Sequence, residues 1–178
     1  MEYVYLATSL PSLELTATPR ISSAELLSSS AGVLRADHWE DLKAVLEDRP
    51  HDVRAPELRP YLDAETQLRS AVARLRAARA GAAYDAGAHP SAGYDARCVS
   101  AAERAMELED PRERELALDG LRWTLLDELA FSPPFGFQAV LAYGFKLRLA
   151  EKWAAMDEAE GLRIAAEVVD AALAGSPS

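Results

Sequence analysis

The stretch Phe131-Ser132-Pro133-Pro134-Phe135-Gly136-Phe137 constrains this chain more than any other. A double proline stops a helix, because proline lacks the backbone N–H and its ring clashes with the preceding turn. The residues that follow form a second helix unusually apolar for a soluble protein, carrying Val140, Leu141, Phe145, Leu149, Trp153 and Met156 as one stripe. From 134 to 156 the formal charge is +2, with Lys146, Arg148 and Lys152 against Glu151. The whole chain stands at −10, so the remainder carries −12. An apolar, mildly basic helix in an acidic protein, with no catalytic motif beside it, points to packing and partner binding rather than chemistry.

Its 178 residues suit one domain or two small helical subdomains, and can bury a core without metal or disulfide staples. With 49% hydrophobic and 27% charged residues, the composition is globular rather than disordered. The acidic balance argues against nucleic acid, whose phosphates require a basic field, and favours basic partners. The single cysteine, Cys98, leaves no intrachain disulfide and fits a reducing compartment. Met1-Glu2-Tyr3 does not read as the basic start of a signal peptide. No uninterrupted apolar run reaches the roughly 18 residues that would span a bilayer. The expectation is a soluble cytoplasmic protein.

Helix signals dominate the rest. Ser22 with Glu25 has capping-box spacing and opens a helix over Ser23–Ser30, and Asp37 with Glu40 repeats that spacing. Trp39, Leu42, Val45 and Leu46 then carry helical periodicity up to Pro50. Pro60 fits the first turn of the next helix, with Leu62, Leu68, Val72 and Leu75 on its apolar side, fading near Gly81. A further helix is predicted over 94–108, with Val99, Ala102 and Met106 on one side. Asp110-Pro111-Arg112-Glu113 is the cleanest helix start, and Leu118, Leu121, Leu125 and Leu129 mark the buried face it opens. Asp157 and Glu160 read as the caps of a last helix, with Leu162, Ala166, Val169 and Leu173 aligned before Gly175. Tyr3-Val4-Tyr5-Leu6 is open between a strand and a short helix. The fold class is all-α, an irregular bundle of about seven helices. The predicted organisation is an N-terminal helical subdomain over 1–80, a loop over 81–93 and a C-terminal module over 94–178, with one continuous domain as the alternative.

Little of the chain reads as chemistry. His38 among Asp37, Glu40 and Asp41 offers only an isolated pairing for a metal, and those acids are better explained as complements to a helix dipole. Arg97 beside Cys98 could lower a thiol pKa, but no histidine lies close in sequence, so a semi-buried structural cysteine is the simpler reading. No G-x-S-x-G elbow accompanies the serines and no glycine-rich phosphate loop is present. Glu107-Leu108-Glu109-Asp110 reads as a solvated helix end. Arg69, Arg74, Arg76 and Arg79 make a local basic run without aromatics for base stacking, which reads as a solvated face or as the docking face for an acidic partner. No enzyme, cofactor or metal is expected.

Glu115-Leu116-Ala117-Leu118-Asp119-Gly120-Leu121-Arg122-Trp123 followed by Leu126-Asp127-Glu128 resembles a family of small bacterial proteins typically encoded within V-type (V/A-type) ATPase operons. The opening Tyr3-Val4-Tyr5-Leu6-Ala7-Thr8-Ser9-Leu10-Pro11 fits the same family, as do Leu141-Ala142-Tyr143-Gly144-Phe145-Lys146-Leu147, Glu151-Lys152-Trp153 and Asp157-Glu158. Residues 134–169 also resemble the C-terminal module of the V-type ATPase C subunit, called d in eukaryotes, with its proline–phenylalanine start, Ala-Tyr pair, later glutamate and closing amphipathic helix. The chain is much shorter than a C subunit and lacks its repeated helical modules.

The resemblance implies a non-catalytic accessory or C-like stalk component, or an assembly factor, placed between the soluble ATPase head and the membrane rotor and touching the membrane only indirectly. Its partner-binding candidates are Tyr143, Lys146, Glu151 and Lys152, the two lysines being expected to face solvent or a partner. The alternative is an unrelated helical adaptor that binds an acidic partner through its Arg69–Arg79 face, with Arg74 and Arg76 as the candidate residues.

Overall fold

Side-chain acceptors for orphan N–H groups mark several helix starts. The capping box at Ser22 forms: its hydroxyl accepts from the Glu25 N–H at 3.2 Å, and Glu25 Oε2 accepts from the Ser22 N–H at 2.8 Å. Asp110 likewise accepts from the Arg112 N–H at 2.8 Å, and Pro111 occupies the first turn. In this computed structural model, residues 3–85, 91–131 and 136–174 are described, with the backbone alone at 158–160, 162 and 164–174. Among them lie seven α-helices and no strand: α1 (Val4–Ser9), α2 (Ser23–Ser30), α3 (Ala36–Leu46), α4 (Arg59–Arg79), α5 (Ala96–Glu107), α6 (Pro111–Phe131) and α7 (Phe137–Ala174). Short 3-10 turns at Pro50–Asp52 and Pro56–Leu58 divide the proline-rich connection before α4. None of these helices is long and apolar enough to cross a membrane.

α6 and α7 form an antiparallel pair, stitched in register by Arg112 to Asp157, Glu115 to Lys152, Asp119 to Trp153 and Asp127 to Lys146. α5 packs on both α4 and α6, and α3 lies against α7. α4 and α5 run in the same direction. The start of α5 meets the middle of α4 where the Asp95 N–H donates to Gln67 Oε1 at 2.7 Å, and Arg79 at the end of α4 donates to the Met106 carbonyl at the end of α5. One cluster of buried apolar side chains reaches from Tyr3 and Leu26 through Leu42, Leu68 and Ala102 to Leu126, Val140, Leu141 and Leu147. Gly144 lets α3 approach α7, since a Cβ there would sit 2.9 Å from Leu42 Cδ1.

Several expectations are corrected. The ambiguous N-terminus is a helix, with Leu6 buried. Asp37 does not cap α3: the N-cap is Arg35 without a side-chain bond, and the Asp37 carboxylate turns back to the Arg35 guanidinium at 2.5 Å. That guanidinium holds the Asp37 carboxyl down at about 2. No break occurs at Asp157. α7 continues for 38 residues, about 57 Å of rod against about 31 Å for the 21 residues of α6. Asp157 is free of a capping duty because it pairs sideways with Arg112. The stripe of Leu162, Ala166, Val169 and Leu173 lies outside the described side chains, as 132–135, 86–90 and Gly175 lie outside the described residues. On the preceding apolar stripe Val140, Leu141 and Trp153 are fully buried, whereas Met156 is 37% exposed.

Candidate functional site

The polar seam between α4, α6 and α7 is the most elaborate side-chain constellation in the molecule. Its centre is Asp119, wholly buried midway along α6. Asp119 Oδ2 accepts from the Trp153 indole N–H at 2.9 Å and also receives the Lys152 ammonium, while Oδ1 accepts from Arg122 at 2.6 Å. Arg122 continues across to α4, donating from Nε to Glu65 Oε2 at 2.9 Å and from a terminal nitrogen to Glu65 Oε1 at 3.2 Å. Burial opposes the charge on Arg122, but Glu65 and Asp119 outweigh it and hold its pKa above the ordinary value. Lys152 also donates to Glu115 at 3.0 Å. A removed partner at such a junction would leave a charge without compensation, so the seam ties three helices into one arrangement.

A cleft of about 310 Å³ opens over this seam, lined by Tyr61, Glu65, Asp119, Arg122, Arg148 and Lys152 among others. Every buried side-chain nitrogen and oxygen among the described residues has a hydrogen-bond partner. Asp119, Arg122, Glu65 and Lys152 are engaged with one another beneath it, which makes the seam a joint between three helices.

The four candidates on α7 are all held inside the chain. Lys146 and Lys152, expected to face solvent or a partner, both pair with carboxylates of α6, though Lys152 keeps 36% of its side chain exposed. Lys146 is only 14% exposed, pairs with Asp127 and stands 4.7 Å over the Trp123 ring. Lys152 is committed to Glu115 and Asp119, and lies 5.4 Å over the Trp153 ring. The reason is register: both lysines point at the charged edge of α6, which supplies carboxylates and a tryptophan face. Tyr143 donates to the Pro11 carbonyl at 2.9 Å, and burial pushes its hydroxyl pKa up to about 12. Glu151 accepts from the Ser23 N–H at 2.7 Å and from the Ser23 hydroxyl at 2.6 Å, anchoring the first turn of α2.

The remaining candidates separate. His38 Nδ1 lies 2.7 Å from the Tyr3 hydroxyl, and its ring stacks on Phe137 at 3.8 Å with the planes 3° apart. Asp41 turns elsewhere: its two oxygens accept from the Arg54 and Ala55 N–H groups at 3.0 and 2.9 Å, pinning the connection before α4. His38 and Asp41 line one open cleft of about 1320 Å³, with His51 and Arg49, but each is already occupied by its own chain contact. Cys98 is fully buried rather than semi-buried, and its thiol faces the Ala64 carbonyl at 3.4 Å. Burial pushes the thiol pKa up to about 11, overriding the neighbouring Arg97, which is engaged with Asp95 and Glu128. Arg97 still acts to lower the pKa, but burial and the Asp95 charge outweigh it.

The basic run on α4 divides as well. Arg69 pairs with Glu65 at 2.6 Å and Arg79 caps the Met106 carbonyl, whereas Arg74 and Arg76 are exposed and enter no ion pair among the described residues.

Sequence reasoning did not single out Asp119, Arg122 or Glu65. A signal was present, since Asp119 lies seven residues before the buried Leu126 and so on the apolar face of α6. A carboxylate in that position demands a donor from a facing helix.

Residues 99–176 match the model of a protein family described as a protein of unknown function (DUF2764). The matched span covers most of α5 and all of α6 and α7, and so the α6 and α7 side of the seam but not Glu65 on α4. No curated protein and no solved structure matches the chain.

Proposed function

We propose that this protein works through shape and protein contact, as a non-catalytic accessory or C-like stalk subunit, or an assembly factor, of a V-type (V/A-type) ATPase. The observation that supports this reading is the α6–α7 pair: a 38-residue helix braced between Lys146 and Asp157 by four cross-helix polar contacts around a buried aspartate. A part that couples or assembles a soluble head and a membrane rotor needs stiffness and a fixed outline, and this pair supplies both. The choice of this complex rests on the local resemblance of 115–128 and 141–153 to proteins of ATPase operons.

The test is affinity purification of the tagged chain from its native cells. The ATPase head subunits are expected to co-purify in fixed stoichiometry. An intact and fully coupled ATPase after deletion of the gene would sink the stalk role and leave only an assembly role, visible as slower appearance of complete complexes.

A further inference from the structure

Beyond that reading, and independent of it, we propose that the outward face of α4 around Arg74 and Arg76 is a docking surface for an acidic helical segment of another protein. From 66 to 84 the chain carries four arginines and no carboxylate, a charge of +4 inside a protein of −10. The fold takes two of these out of play by tying Arg69 to Glu65 and Arg79 to the end of α5. It leaves Arg74 and Arg76 exposed without an ion pair among the described residues.

Position on the helix defines the occupant. Tyr61, Ala64, Leu68, Ala71 and Val72 face the core, so the opposite side of α4 faces outward. Arg74 and Arg76, two residues apart, lie on opposite flanks of that outward side, with the short side chains of Ala73 and Ala77 between them. A helix laid over the alanines can approach closely and send carboxylates to an arginine on either side, where guanidinium and carboxylate pair in bidentate fashion.

The surrounding field favours a short acidic segment over a long polyanion. Two arginines do not make the extended basic track that a nucleic acid or an anionic membrane requires, and no stacking aromatic flanks them. A net charge of −10 repels a long polyanion as a whole, while a contact a few ångströms across acts within the roughly 8 Å screening length of physiological salt.

The probe is a synthetic helical peptide of repeating Glu-Ala-Ala-Ala units, titrated into the isotope-labelled full chain and followed by amide and arginine side-chain NMR signals. Saturable binding is expected, with shifts confined to the neighbourhood of Ala73, Arg74, Arg76 and Ala77. The double variant R74E/R76E should weaken it by roughly tenfold or more, with unchanged circular dichroism and melting, whereas R74K/R76K should retain part of the affinity. Absence of saturable binding at low salt overturns the proposal, as do shifts spread over the surface or an affinity untouched by R74E/R76E. Equal binding of a single-stranded RNA oligomer or of phosphatidylserine vesicles also overturns it, and an Arg74- and Arg76-dependent dimer in sedimentation would reassign the face to a second copy.

Discussion

The Trp153 indole N–H donates to Asp119 Oδ2 at 2.9 Å, and both residues are fully buried where α7 crosses α6. A tryptophan nitrogen and a carboxylate are each costly to bury alone. Together, with Arg122 and Lys152 closing the remaining lone pairs, they make a junction that determines how α6 and α7 meet.

Asp119→Asn is expected to destabilise the protein by about 3 kcal/mol, because Arg122 and Lys152 lose the charge that compensates their desolvation. Trp153→Phe keeps most of the apolar volume but removes one of the two donors on Asp119 Oδ2, at a cost of about 1–3 kcal/mol. Urea unfolding of both single variants and the double variant checks this. Because the two residues share one contact, the costs should not add, and strict additivity would show that the bond is energetically idle.

Two helical glycines should respond oppositely to alanine. At Gly144 the added Cβ meets Leu42 Cδ1 at 2.9 Å, so Gly144→Ala is expected to cost about 1–3 kcal/mol by forcing α3 off α7. At Gly120 nothing lies within 4 Å, so Gly120→Ala should stabilise by about 0.5–1 kcal/mol through helix propensity alone. Melting temperatures of the pair give the signs directly.

Glu151→Ala removes the acceptor for the Ser23 N–H and hydroxyl. Hydrogen exchange should quicken over the first turn of α2 while the amides of α6 stay protected, since α2 reaches α7 through this bond and a modest apolar contact. Uniform quickening of the whole molecule would instead mark Glu151 as part of the global core.

Cys98 should react with a thiol reagent only as fast as the protein opens, since it is fully buried and its thiol is held protonated. The same burial predicts a pH effect. The folded pKa, about 11, lies above the ordinary 9.0, so the folded state holds its proton longer. Its contribution to stability is full below about pH 9 and is lost as pH rises towards 11. Cys98→Ala should flatten that part of the stability–pH curve, and an unchanged slope would assign the alkaline loss to other groups.

Much of the fold was legible because its signals are local. The Ser22–Glu25 box, the Asp110-Pro111 start and the apolar spacing of α4, α5 and α6 each act within one or two turns, and each helix forms where those signals lie. The spurious start at Asp157 was local too, but an acid that resembles a cap was claimed by Arg112, forty-five residues away. The expectation that two lysines of α7 are left for solvent or a partner is modified for the same reason. Lys146 and Lys152 look solvent-seeking in sequence, and only the approach of α6 turns them into internal partners of Asp127, Glu115 and Asp119.

The apolar helix after the double proline keeps its place as the organising element, but its meaning changes. By itself the sequence determined that this would be an all-helical chain, where most helices start, and which faces are apolar, because periodicity and capping depend on near neighbours. The tertiary structure alone decided which charges are surface and which are joints. A charge is stabilised by whatever lies within a few ångströms, and for Asp119, Glu151 and Lys152 those neighbours come from other helices.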